Sequence, residues 1–385
     1  MSERAYIRKW GALIVVLIMF FTSACNEDVA VSSSLVPSIT ETRETRVVPT
    51  ETEVKEEETL PTFYTTDNNL AVHIEDSVAD HFQGTIFVGI AGQRVFEASY
   101  GYADVESRQY LSENSIYETG FLTTQLTYQA FLHLIEEEDL DTNDLLSEYI
   151  PEYEYADQIS LLQLIEMSSG IPDYLGNTIA HEDYVQSLLL QGLTRQESLN
   201  AIKEFADLDA SFDSVLEYIQ SETLLYVPGE RTAFSASDYV IMAEIINRVS
   251  GVPYVHYLQR NILTPMDLET ASFTMTSQTA TGYLFADQMQ IIVPGSRLAG
   301  EAGLRMSAAD LFVWTNMLIP ELLERQEEAS SQAVIPLLQE MPGSVYMARS
   351  SAGGFYCLQM IIPEIELVVI IMSNQNGLEH PADDL

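Results

Sequence analysis

Runs of apolar residues near both ends of the predicted globular part are typical of β-strands. Residues 85–90 and 94–101 are rich in β-branched and aromatic side chains, and a turn of hairpin length, Ala91-Gly92-Gln93, joins them. Two further runs, 355–362 and 366–372, flank a short turn that contains Pro363. The pattern predicts one sheet whose strands come from both ends of a single domain.

Between these strands, apolar residues recur at helical spacing. The stretch from Tyr117 to Ile150 holds one such helix, which ends at the acidic residues 136–138. Another begins after Ser307, a natural N-cap, and a third ends at Gly251. The middle of the chain, which includes the acidic residues 181–222, is therefore predicted to form a helical lobe inserted into the order of strands.

The N-terminal residues have the pattern of an export signal. Three basic residues precede the apolar run 10–21, which is too short to span a bilayer comfortably. The run ends in Thr22-Ser23-Ala24-Cys25, which resembles a bacterial lipobox and implies a signal peptide over residues 1–24 and a lipid on Cys25. The alternative is an uncleaved N-terminal anchor. Both place the rest of the chain at the outer face of a bacterial membrane, in the cell envelope.

Composition separates a tether from the folded part. Residues 25–66 are acidic and rich in Ser, Thr, Glu and Pro, so they are predicted to be disordered, and the domain is predicted over 67–385. The net charge of −41 repels phosphate backbones and excludes a nucleic-acid-binding function. Apart from Cys25, the chain has a single cysteine, Cys357, and so no disulfide framework.

Several short motifs occur in an order that resembles one known family. They are 99–104 (Ser-Tyr-Gly-Tyr-Ala-Asp), 149–153 (Tyr-Ile-Pro-Glu-Tyr), 159–174 (ending Ser-Ser-Gly-Ile-Pro-Asp-Tyr), 227–231 (Val-Pro-Gly-Glu-Arg), 303–310 (Gly-Leu-Arg-Met-Ser-Ala-Ala-Asp) and 368–374 (Val-Val-Ile-Ile-Met-Ser-Asn). The order resembles the serine β-lactamase and penicillin-binding-protein group, which includes class C β-lactamases, DD-peptidases and esterases. The resemblance implies an α+β fold, with an antiparallel sheet flanked by helices and an all-helical lobe. It also implies a C-terminal helix, for which the residues after Asn374 leave little room.

The same resemblance implies acyl transfer by a Ser nucleophile, a Lys three residues later, a Tyr from a second motif and a strand that helps to hold the substrate. At the matching positions this chain has other residues. Phe121 stands for the Ser and Thr124 for the Lys, while Phe234 stands for the Tyr and Ala236 for the Asn two residues beyond it. The strand motif is matched by residues 348–350, from Ala348 to Ser350. Every polar group of the constellation is changed.

A search for substitutes yields only weak candidates. Thr123 and Ser235 lie near the former site but have no adjacent base in the sequence, and no metal-ligand spacing or cofactor motif is present. We therefore expect no catalytic residues, no metal and no cofactor. The main hypothesis is an exported, lipid-anchored pseudoenzyme that binds a cell-wall peptide, an apolar small molecule or a protein partner. The alternatives are an active serine hydrolase with a non-standard nucleophile and a decaying locus.

Overall fold

The computed structural model describes residues 63–66, 70–72, 74, 82–174, 211–286, 289–292, 299–327 and 335–377. Within them lies a central seven-stranded sheet, whose strands are β1 (Phe63–Thr65), β2 (Gly84–Ile90), β3 (Gln93–Tyr100), β10 (Gln339–Met341), β11 (Val345–Ala352), β12 (Phe355–Ile362) and β13 (Leu367–Ser373). They lie in the order β1-β3-β2-β13-β12-β11-β10, and all neighbouring strands are antiparallel. Strands from both ends of the domain meet where β2 pairs with β13, as the apolar pattern predicts.

The sheet is buried on both faces, which explains why β13 is a continuous apolar run. Val368, Ile370 and Met372 pack into the larger core, on the side of the helical lobe. Leu367 and the alternate residues along the strand pack into a second core on the opposite face, together with Ile74. Because successive side chains of a strand point to opposite faces, both sets of positions must be apolar here.

Seven α-helices have both bounds within the described residues, and residues 70–72 and 74 are helical as well. The seven helices are α1 (Thr123–Glu137), α2 (Leu161–Ile165), α3 (Phe212–Ser221), α4 (Ala236–Ser250), α5 (Tyr254–Leu258), α6 (Ala308–Met317) and α7 (Ile319–Glu327). Short 3-10 turns occur at Gly120–Leu122, Leu146–Glu148, Ala156–Gln158 and Pro363–Ile365, with a π-helical turn at Gln259–Leu263. The Ser307 side chain caps α6 by accepting from the Asp310 N–H, and Gly251 ends α4 with a positive φ of 69°.

Helix α6 lies directly on β2 and β13, and one glycine allows this close approach. The ring of Phe312 stacks on Phe87 with centroids 4.6 Å apart. A Cβ at Gly89 would overlap the Phe312 ring, so only glycine fits opposite it. The sheet and the helical layer are thus held at a fixed separation behind the candidate site.

Some strands were not apparent in the sequence. They are β4 (Tyr102–Asp104) paired with β5 (Gln109–Tyr110), β6 (Tyr117–Glu118) paired with β9 (Arg305–Met306), and a small sheet of β7 (Tyr283–Ala286), β8 (Met289–Ile292) and β14 (Gln375–Gly377). The predicted signal peptide, residues 25–62 of the predicted tether, the acidic residues up to 210 and the C-terminal residues after 377 lie outside the described residues. The last residues of the predicted tether are described, and Phe63–Thr65 form β1, which pairs with β3 at the edge of the sheet. Among those described, no helix is both long and apolar enough to cross a membrane.

Candidate functional site

The start of α1 organises the site. Gly120–Leu122 forms a 3-10 turn that leads directly into α1, and Gly120 adopts a φ of 54° that favours glycine. A Cβ at Gly120 would collide with the hydroxyl oxygen of Ser350 on β11. The absence of a side chain at Gly120 therefore lets the first turn of the helix approach the sheet.

Phe121 and Phe234, the residues matched to the Ser and the Tyr, contact one another. Their ring centroids are 6.1 Å apart and the planes are nearly perpendicular, which is a favourable edge-to-face geometry. Phe234 also packs against Tyr239 of α4, with centroids 5.7 Å apart, yet 39% of Phe234 stays exposed. The two rings close the space between α1 and the segment that precedes α4.

The residue Ser350 joins the strand to the helix. The backbone N–H of Phe121 donates to the Ser350 hydroxyl oxygen at 2.7 Å, across 229 positions of sequence. Ala348, on the same face of β11, is buried in the main core. Arg349 lies between them, so its side chain points to the opposite face of β11, away from Ser350.

The remaining hydroxyls near the site have no base beside them. The Thr123 hydroxyl donates to the Gly120 carbonyl and the Thr124 hydroxyl to the Phe121 carbonyl, both at 2.7 Å. Both threonines are fully buried. The buried Ser235 hydroxyl has no hydrogen-bond partner among the described residues. None of the three therefore has the hydrogen-bonded base that activates a nucleophile.

The first turn of α4 is fixed by polar contacts that the sequence did not reveal. Ala236, matched to the Asn, is fully buried as the first residue of this helix. Two residues on, the Asp238 carboxylate accepts from the Ser169 hydroxyl at 2.8 and 3.0 Å. Burial raises the pKa of Asp238 well above its usual range, and the Ser169 contact only partly offsets this. The Ser237 hydroxyl donates to the Pro172 carbonyl and accepts from the Tyr174 N–H. The loop 168–174 is therefore tied to α4.

A second buried carboxyl, Glu301, lies beside the same loop. Its Oε1 accepts from the Tyr174 hydroxyl at 2.7 Å, and its Oε2 has no partner among the described residues. Burial raises the pKa of Glu301 to about 7, and the Tyr174 hydrogen bond opposes this shift. Sequence patterning gave no sign of this burial beyond the small neighbours Gly300 and Ala302.

The described residues contain no group of three or more His, Cys, Asp or Glu side chains arranged to hold a metal ion. Cys357 is buried and free, and its thiol lies 3.4 Å from the Glu118 carbonyl. Burial raises the pKa of Cys357, which keeps the thiol protonated and unreactive. Cys25, the predicted lipid anchor, lies outside the described residues.

Comparison with known proteins identifies the family of the chain. A sequence model named Beta-lactamase matches residues 73–385. The chain belongs to the β-lactamase family. The PbpX protein of Bacillus subtilis (strain 168) is 27% identical to this β-lactamase family member over 311 residues, which cover 76% of this chain and 71% of PbpX.

Other relatives match a smaller part or show the fold alone. Protein flp of Staphylococcus aureus (strain NCTC 8325 / PS 47) is 28% identical over 203 residues, which are 51% of this chain and 36% of flp. The penicillin-binding protein from Bacillus halodurans aligns with a TM-score of 0.59 at 18% identity, covering 77% of this chain and 93% of that protein. The fold of this β-lactamase family member is therefore the α+β fold that the motif order implied. The assignment of Phe121, Thr124, Phe234, Ala236, Ala348 and Ser350 as former catalytic positions stays a prediction.

Proposed function

We propose that this member of the β-lactamase family is a binding domain that has lost serine-hydrolase activity. The observation that carries the proposal is the contact at the start of α1, where a phenyl ring stands at the nucleophile position and the Phe121 amide is bound by Ser350. Removing the nucleophile of a serine hydrolase elsewhere lowers turnover by about 10⁶-fold. Here the base and the tyrosine are replaced as well.

The edge-to-face contact of Phe121 with Phe234 bears on what is bound. The two rings stand at the positions matched to the nucleophile and the Tyr of the family, so an occupant that reaches between these positions must first separate them. A cell-wall peptide or an apolar small molecule inside the cleft is for this reason disfavoured. A partner that binds at the rim requires no such opening.

The rim offers an apolar surface on segment 225–234. Leu225 is 59% exposed and Val227 70% exposed, and Phe234 at the end of the segment is 39% exposed. Exposed apolar side chains gathered on one segment are typical of protein-binding sites.

The backbone of this segment is held in place. The N–H groups of Leu225, Gly229 and Ala233 each donate to a carbonyl of the loop 167–170 at 2.8 Å. A segment already fixed in this way loses less conformational entropy when a partner binds. The exposed apolar side chains are thus pre-organised for binding.

Charge indicates the chemistry of the partner. Glu222 and Glu230 are exposed at and beside this segment, the base Arg231 within it lies over the Tyr226 ring, and the whole chain has a net charge of −41. Complementary charge favours association and excludes acidic partners. We therefore propose a protein partner that presents apolar side chains next to Lys or Arg.

Synthetic peptides test this proposal directly. Fluorescence anisotropy compares a Leu/Lys peptide with a Leu/Glu peptide of the same length, and we expect only the first to bind. Changing Leu225→Ser and Val227→Ser together removes exposed apolar area and weakens binding at least tenfold. Met275→Ser, on a different exposed loop, serves as the control and leaves binding unchanged. Equal binding of the two peptides, or no effect of the double variant, contradicts a rim site.

A second candidate function, hydrolysis by Thr123 or Ser235, has less support. The Thr123 hydroxyl already donates to a carbonyl, and the Ser235 hydroxyl is buried without a hydrogen-bonded base in the part of the chain described.

A decaying locus has less support as well. The buried network in which Gln125 bonds Gln359 and Trp314 is well satisfied, which favours a maintained domain over a decaying one.

The location of the domain is part of the same proposal. We propose that the chain is exported and held at the outer face of a bacterial membrane by a lipid on Cys25. Metabolic labelling with a fatty-acid analogue tests this, because the label should disappear in Cys25→Ala. A labelled Cys25→Ala variant, or an unlabelled parent chain, would contradict the lipid anchor.

A further inference from the structure

The position of the lost nucleophile carries two groups that matter for acyl transfer. The side chain supplies the attacking oxygen, and a backbone N–H at this point can stabilise the negative charge that develops on the carbonyl oxygen. Replacing a side chain leaves the second group untouched, since every residue except proline has an N–H. The amide of Phe121 would therefore still be available unless another group binds it.

In this chain another group does bind it. The Ser350 hydroxyl oxygen accepts from the Phe121 N–H at 2.7 Å, which is a good hydrogen bond. Ser350 is only 5% exposed, so water does not readily replace it. Gly120 leaves the space in which this hydroxyl lies.

We infer that Ser350 is an autoinhibitory block, whose hydroxyl occupies the oxyanion-stabilising amide of residue 121. This inference rests on the proposed loss of activity and gives that loss two separate causes. The first cause is the missing nucleophile and base, and the second is an amide already used for structure. Restoring the side chains of the family motif alone cannot then restore the reaction.

The chemistry of the restored reaction explains the requirement. A serine oxygen at position 121 would form a bond to the β-lactam carbonyl carbon, and the ring C–N bond would break. The serine proton would pass through a lysine at position 124 to the departing nitrogen. In between, the carbonyl oxygen carries a full negative charge and needs the N–H that Ser350 binds.

The hydrogen bond also has a structural role that accounts for its presence. The first N–H groups of a helix have no partner within the helix, and a hydroxyl is a common substitute. Ser350 provides that partner from β11, where it pairs with Cys357 of β12. The contact therefore stabilises the joint between helix and sheet.

The first experiment compares two multiple variants in acylation by a fluorescent penicillin. Both have the restored family side chains, and only one also has Ser350→Gly; the shared changes are Phe121→Ser, Thr124→Lys, Phe234→Tyr and Ala236→Asn. Removing one oxyanion donor costs hydrolases about 10²- to 10³-fold, so the variant with Ser350→Gly should acylate at least 10²-fold faster. Equal rates, or no acylation in either variant, would overturn the inference.

A second measurement needs no catalysis. Hydrogen exchange followed by NMR reports whether the amide of Phe121 is bound, and Ser350→Ala should speed its exchange at least tenfold. Ser351→Ala is the matched control, because Ser351 lies on the opposite face of β11 and should leave this amide protected. Unchanged exchange in Ser350→Ala would refute the block. Acylation of the unaltered chain would refute the proposed function instead, so the two failures are distinguishable.

Discussion

The buried carboxyl of Glu301 should make the stability of the domain depend on pH. Burial raises its pKa from 4.5 to about 7 in the folded chain. The groups facing it are the Tyr174 hydroxyl, which donates to it, and the carboxylates of Asp173 and Glu118, which raise its pKa further. Glu118 is itself paired with Arg305 at 2.8 Å.

The sign and size of the effect follow from these values. Between pH 4.5 and 7 the unfolded carboxyl gives up its proton while the folded carboxyl keeps it, so rising pH favours unfolding. One pKa unit corresponds to about 1.4 kcal/mol, and the shift therefore lowers the free energy of unfolding by about 3 kcal/mol across this window. The stability that the protonated Glu301 carboxyl retains is fully present below pH 4.5 and is lost once the pH exceeds about 7.

Urea unfolding of the parent chain and of Glu301→Gln, measured from about pH 4 to 8.5, isolates this carboxyl from others such as Asp238. The glutamine side chain has no proton to lose, so its stability should fall less steeply with pH. The difference between the two curves should change by about 3 kcal/mol over the window. Glu222→Gln, at an exposed position, should run parallel to the parent. Parallel curves for Glu301→Gln and the parent would refute the account of Glu301.

Two substitutions test the packing and the buried ion pair behind the site. Gly89→Ala forces a Cβ into the Phe312 ring and should lower the free energy of unfolding by about 1 to 3 kcal/mol in urea denaturation, and an unchanged midpoint would refute the close approach of α6. Glu118→Gln leaves the buried Arg305 without its charged partner and should cost about 3 to 5 kcal/mol, whereas Glu152→Gln at the more exposed Arg248 pair should cost under about 1 kcal/mol. Similar losses for the two glutamine variants would contradict this difference in burial.

The sequence predicted those elements whose signals are local. The hairpin of β2 and β3 and the pair β12 and β13 follow from apolar runs and turn residues, and their bounds agree with the prediction to within a residue or two. The spacing of Leu70, Ile74 and Phe82 is that of one helix, and residues 70–72 and 74 are helical, but Phe82 lies in an irregular segment before β2. Its side chain packs in the second core, on the face of the sheet opposite the helical lobe, and edge-on against Tyr100. Burial therefore explains why Phe82 is apolar although it lies outside a helix.

The decisive contacts of the candidate site are long-range and leave no local signal. The contact between Ser350 and the Phe121 amide joins residues 229 positions apart, and it depends on the register of β11 as much as on either residue. Glu301 resembles the other 57 acidic residues in the sequence, yet the fold buries it. The meeting of Phe121 with Phe234 could be anticipated only because they stand at matched positions of two motifs of the same family.

The most direct test of the proposed function is the intact mass of the purified protein after incubation with penicillin and with a fluorophosphonate. Under the proposed loss of the nucleophile, and with the Phe121 amide bound by Ser350, the protein should keep its mass unchanged with both reagents. A stoichiometric adduct that disappears on changing a single Ser or Thr, such as Thr123→Ala or Ser235→Ala, would contradict it and establish a working nucleophile.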